Sequence, residues 1–93
     1  MSPQELRNKI IKNLEYDPSF LRVIEIINEH LLKVSHINKS PIIITCKVGF
    51  IKESHPKIIF YYETCGWKRV KIENVELNDK IVSKITFYYN LIN

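Results

Sequence analysis

The sequence predicts a single α+β domain spanning residues 1–93, with two N-terminal helices packed on a four-stranded antiparallel sheet. Three observations carry this reading. Apolar residues recur at helical spacing from Leu6 to Val34, the period changes to two from Ile42 onward, and 93 residues leave room for only one core.

Ser2-Pro3-Gln4-Glu5 opens the first helix as a capping box, with Ser at the N-cap, Pro at the first helical position and Glu two residues further in. Leu6, Ile10, Ile11 and Leu14 then form one apolar stripe. Asp17-Pro18 stops this helix near Tyr16, because the residue before a proline is pushed out of the α region. The same pair restarts the chain, Asp17 capping a second helix. Nine apolar residues between Phe20 and Val34 give that helix a face wider than one small sheet covers, a first sign of a partner chain.

Residues 35–40 form a polar break that Pro41 ends. From Ile42, Ile44, Cys46, Val48 and Phe50 alternate with Ile43, Thr45, Lys47 and Gly49, which predicts a strand. Glu53-Ser54-His55-Pro56 reads as a turn. Ile58, Phe60 and Tyr62 then alternate with Ile59, Tyr61 and Glu63 in a second strand. Residues 69–74 make a third, with Val70 and Ile72 inward. Residues 80–92 fit either period, and Asn78 or Asp79 would cap a helix there. The crowding of Val, Ile, Thr, Phe and Tyr favours a fourth strand, with Ile81, Ile85, Phe87, Tyr89 and Leu91 on one face.

The net charge of +4 and pI of about 9.1 permit contact with nucleic acid, although acidic residues are interspersed. Eleven Lys against three Arg lean away from bidentate readout of bases. No run of 18 apolar residues is present, so no membrane span is expected. The first twenty residues carry charges at helical spacing and no apolar run, so no secretory leader is expected there. Cys46 and Cys65 then read as reduced packing thiols of a cytoplasmic protein.

The sequence offers no chemistry. His30, His36 and His55 lie apart from one another and from the cysteines, without metal-ligand spacing. Cys65 and His55 could pair on paper, but no third group orients them. Gly49 and Gly66 are the only glycines, too few for a phosphate-cradling loop. No catalytic residue, cofactor or metal is therefore expected. Both faces of the strands around residues 58–64 and 87–89 carry aromatics, which suggests a sheet with a protein partner near its second face. The alternative is a small basic nucleic-acid-binding protein using Lys57, Lys68, Arg69 and Lys71 with Tyr61 and Trp67.

Four segments resemble, in order, the strands of the Tctex-type dynein light chains. They are Ile43-Ile44-Thr45-Cys46-Lys47-Val48 after the lead Lys39-Ser40-Pro41, Thr64-Cys65-Gly66-Trp67, Val70-Lys71-Ile72-Glu73-Asn74 and Ile81-Val82-Ser83. The likeness covers nearly the whole chain, as that of a divergent member. The first hairpin lacks the family's glycines, Gly66 stands for an aromatic, Lys68 for an Asp, and Phe87-Tyr88-Tyr89 for a C-terminal Phe-Gly pair. The resemblance implies a homo- or heterodimer of light chains that exchange their second strand. It also implies binding to the tail of a dynein intermediate chain by strand addition along Ile58, Ile59, Phe60, Tyr61, Tyr62, Glu63 and Thr64. Such a light chain would support motor assembly and cargo attachment in the cytoplasm, on the cytoskeleton or in the ciliary axoneme.

Overall fold

A computed structural model describes residues 1–34 and 41–89. The chain runs α1 (Pro3–Glu15), α2 (Pro18–Leu32), β1 (Ile42–Cys46), a short 3-10 turn (Lys52–Ser54), α3 (His55–Thr64), β2 (Arg69–Leu77) and β3 (Lys80–Tyr88). His36, the Lys39-Ser40 lead, Leu91 and Ile92 lie outside the described residues. Among the described residues no helix is long and apolar enough to cross a membrane.

Both N-terminal helices begin as their caps dictate. The Ser2 hydroxyl accepts the Glu5 N–H at 3.1 Å, and the Asp17 carboxylate accepts the Ser19 N–H at 3.0 Å, each ahead of a proline. α2 gives the core Phe20, Ile24 and Ile27, one side of its broad apolar surface. α1 buries none of its side chains. Only Leu14 reaches the core margin, and Leu6 and Ile10 stand exposed on the stripe.

The sheet order is β1-β3-β2, with β3 antiparallel to both neighbours. β1 and β2 therefore run parallel to each other. A chain leaving one parallel strand for the other must cross a face of the sheet, which takes a dozen or more residues and usually a helix. α3 is that crossing. The described residues thus hold three strands and three helices, where two helices and four strands were expected.

The second strand expected at residues 58–64 is helix, and the turn expected at 53–56 spans the end of the 3-10 turn and the start of α3. The alternation that suggested a strand was ambiguous, because Ile58 and Tyr62 lie four apart as well as two steps of two. They are the pair that α3 buries. Pro56 sits in the first helical turn, as Pro3 and Pro18 do in theirs. Instead of pairing in a ladder, the segment packs under its own sheet.

β1 is shorter than its alternation suggests. After Cys46 the chain bends, and the Ser83 N–H donates to the Val48 carbonyl at 3.1 Å. Gly49 passes so close to β3 that a Cβ there would lie 2.9 Å from the Ile81 Cγ2 and 3.0 Å from its carbonyl oxygen, so any larger residue would push β3 or the loop aside. Phe50 is buried from outside any strand.

The strand reading of the last segment agrees with the structure. Asn78 and Asp79, with φ of 53° and 65°, form the two-residue turn of the β2–β3 hairpin, both in the left-handed region that such a turn requires. On the inner face of β3 lie Ser83, Ile85 and Phe87, all fully buried, whereas Ile81 and Tyr89 are exposed. Helices cover this inner face, with α2 against β1 and α3 against β2.

Candidate functional site

The residues expected to bind a partner are largely spent on the fold. Ile58 and Tyr62 are buried, and Ile59 and Tyr61 pack against the core. Phe60 and Thr64 are half-buried. The Tyr62 hydroxyl donates to Asn28 Oδ1 at 2.7 Å, tying α3 to α2. Tyr61 stacks edge-on with Phe20 and Tyr62 at 5.7 and 5.2 Å. Glu63 points to the sheet, where its carboxylate accepts the Val70 N–H at 3.0 Å. That hydrogen bond covers the outer edge of β2, which is also guarded by the exposed charges of Arg69, Lys71, Glu73 and Glu76.

The opposite edge differs. Ser83 turns its N–H toward the β1 side, so Ser83, Ile85 and Phe87 form the hydrogen-bonded pairs with Cys46, Ile44 and Ile42. By alternation, the N–H and C=O groups of Ile43 and Thr45 point away from the sheet. Among the described residues no backbone bond reaches them from outside the ladder. The strand Ile42-Ile43-Ile44-Thr45-Cys46 holds no charge, and Ile43 is 54% exposed. Sheet edges are ordinarily blunted by lysine, inward charge, bulge or cover, and among the described residues β1 has none of these along its length. An apolar hollow of about 340 Å³ lies beside its first residue, lined by Ile42, Leu31, Leu32, Val34, Asn28 and Trp67.

The candidate nucleic-acid residues do not gather on one surface. Trp67 turns inward onto Phe87, ring centroids 5.1 Å apart, and Tyr61 is occupied beneath the sheet, so neither offers a free face. Lys57 is exposed on α3, while Arg69 and Lys71 stand on the outer face of β2.

The groups considered for catalysis have structural partners. His30 Nδ1 lies 2.8 Å from the Ile26 carbonyl, and His55 Nε2 lies 3.1 Å from the Phe50 carbonyl. His55 and Cys65 flank the two ends of α3, roughly 15 Å apart by helical rise. Among the described residues no three His, Cys, Asp or Glu side chains are grouped to hold a metal. Both cysteines are free thiols, Cys46 buried and Cys65 exposed. Partial desolvation of the sulfur pushes the Cys65 thiol up, with Glu15 adding to the shift.

Burial pushes the Cys46 thiol from 9.0 to about 11. The folded protein therefore holds this proton more tightly than the unfolded chain does. The resulting stability is whole below pH 9 and is lost as pH rises from there to about 11. The buried Tyr62 phenol is shifted the same way. The urea midpoint is expected to fall over this window, and to fall less in Cys46→Val. An equal fall in both proteins would remove Cys46 as a cause.

Compared with known proteins, the chain matches no family model, and no curated protein or solved structure is significantly similar to it.

Proposed function

We propose that this chain is a non-catalytic protein-binding module that takes up an extended segment of another polypeptide as an added strand along β1. The observation that carries the reading is the edge at Ile43 and Thr45, uncharged and left uncovered by the described residues. An extended segment laid there completes two pairs of backbone hydrogen bonds, and pockets on either side read its alternate side chains. Inward-pointing residues of the added strand would meet the α2 side, where Leu32 is exposed beside the apolar hollow. Outward-pointing ones would lie against Ile43 and Thr45.

The light-chain resemblance implies the same mode of recognition along a different segment, so the intermediate-chain tail is the first ligand to try. A paired assembly of such chains, also implied by that resemblance, would present two edges and convert modest single-site affinity into avidity.

Ile43→Pro tests the edge directly. It removes one outward N–H and places a ring in the path of an added strand, yet leaves the hydrogen bonds between β1 and β3 intact, since proline is tolerated on the free side of an edge strand. Against the best binder from a display library of short linear peptides, and against an intermediate-chain tail peptide, the variant is expected to lose about tenfold in affinity, the equivalent of one good hydrogen bond. Its melting temperature should stay near that of the parent. Full affinity in a folded Ile43→Pro protein would place the binding elsewhere.

A further inference from the structure

We infer that the open face of the sheet binds single-stranded nucleic acid through Arg69, Lys71, Lys84 and Tyr88. Helices cover the inner face; on the outer face Thr45, Arg69, Lys71 and Glu73 are exposed and Lys84, Thr86 and Tyr88 half-buried, while Val82 is buried nearer the hairpin. Register decides which residues meet there. Arg69 lies opposite Tyr88, Lys71 opposite Thr86, Glu73 opposite Lys84, and Thr45 pairs with Lys84 from the other side. A surface assembled from residues 45, 69, 71, 73, 84, 86 and 88 is thus one patch only because the sheet order is β1-β3-β2.

The chemistry of this patch matches a phosphate backbone carrying bases. Tyr88 stands half-buried on the central strand, with the Arg69 guanidinium 6.0 Å and the Lys71 ammonium 5.9 Å over its ring centroid, a pair of cations that a base would displace toward its phosphates on stacking. An aromatic on an accessible sheet face, with cations around it, is how single strands are held: bases stack on the ring while the cations follow the phosphates. Among the described residues Glu73 is the acid on the patch, and Glu63 borders it, lining one hollow with Arg69 and Lys71. Glu73 lies 3.9 Å from Lys84, and among the described residues Arg69 and Lys71 have no carboxylate partner. Two cations beside one aromatic are therefore left without a counter-charge inside the protein.

A duplex fits less well, because the patch is flat and presents no helix or ribbon to enter a groove. An anionic membrane would use the same cations, but has no use for the ring beneath them. The alternative set that included Tyr61 and Trp67 fails on placement. Tyr88, on the opposite face, takes over the stacking role.

The test is fluorescence anisotropy of labelled oligo-dT and oligo-U over a range of salt concentrations. Binding is expected at low salt and should weaken linearly in logarithmic form. Arg69→Gln and Lys71→Gln should each flatten that slope by about 0.7, the value for one phosphate contact on a single strand. Tyr88→Ala should weaken binding about fivefold or more, whereas Tyr88→Phe, which keeps the ring, should bind as the parent does. Circular dichroism checks folding, and the two Gln variants decide the matter should Tyr88→Ala unfold. The proposal is overturned by any of three results: no binding at about 50 mM salt, slopes unchanged in both Gln variants, or binding confined to phosphatidylserine vesicles. Ile43→Pro should leave oligonucleotide binding unchanged, which separates this face from the edge of β1.

Discussion

Phe87→Ala is expected to destabilise the fold by about 3–5 kcal/mol, the largest loss of any single truncation in this chain. Phe87 is fully buried on the central strand, with Ile42 and Val70 opposite it on the two neighbouring strands. Its ring meets Tyr62 edge-on at 5.2 Å and Trp67 at 5.1 Å, so one side chain joins α3, the entrance to β2 and both flanking strands. Alanine would leave a cavity that these rigid rings fill poorly, and the cost rises with the volume left empty. A chain of this length has roughly 5–14 kcal/mol to lose. Urea denaturation should show the midpoint collapsing in Phe87→Ala, while Lys71→Gln on the outer face stays within about 0.5 kcal/mol of the parent. Comparable midpoints for the two variants would show that the core does not centre on this ring.

Ser83→Ala should cost nearly as much for a different reason. Ser83 is fully buried, and its Oγ accepts the Phe50 N–H at 2.8 Å while donating to Asn74 Oδ1 at 2.6 Å. Asn74 in turn donates its Nδ2 hydrogen to the Phe50 carbonyl at 2.9 Å. Two side chains opposite each other in the β2–β3 register thereby hold both peptide groups of a residue in the loop after β1. Removing the hydroxyl orphans the Phe50 N–H and one lone pair of Asn74, at about 1–3 kcal/mol for each group left unpaired in the interior. The Phe50 amide should lose its protection from hydrogen exchange. A double-mutant cycle with Asn74→Ala should give a coupling of about 0.5–3 kcal/mol, and additivity of the two losses would show that the groups do not act together.

Legibility in the sequence followed the range of the forces involved. The starts of α1 and α2 were readable because their signals are local: Ser2 and Asp17 each accept an N–H within three residues and each precede a proline. The strand character of residues 80–88 was readable from β-branched and aromatic crowding, although Asn78 and Asp79 proved to be a hairpin turn and not caps. α3 was misread because its ten residues are rich in strand-favouring types, and because Ile58 and Tyr62 satisfy both periods. Pro56 was the available signal, repeating the placement of Pro3 and Pro18. The free edge of β1 was not legible at all. Whether a strand lies at a margin or in the middle depends on which distant segment pairs with it, and β3 inserts itself between β1 and β2 from the end of the chain. The outer-face patch was hidden for the same reason.

The exposed stripe of α1 also has a consequence for how this chain comes apart. A helix of 13 residues is marginal in water by itself, and α1 adds to its cap the anchorage of Leu14 at the core margin and a half-buried Ile11, both beyond its first two turns. Its first turns can therefore fray and re-form at a free-energy cost far below that of melting the sheet. One short polypeptide so contains two tiers of cooperativity: a loosely tethered arm that opens by itself, and a body that holds until it yields as a whole.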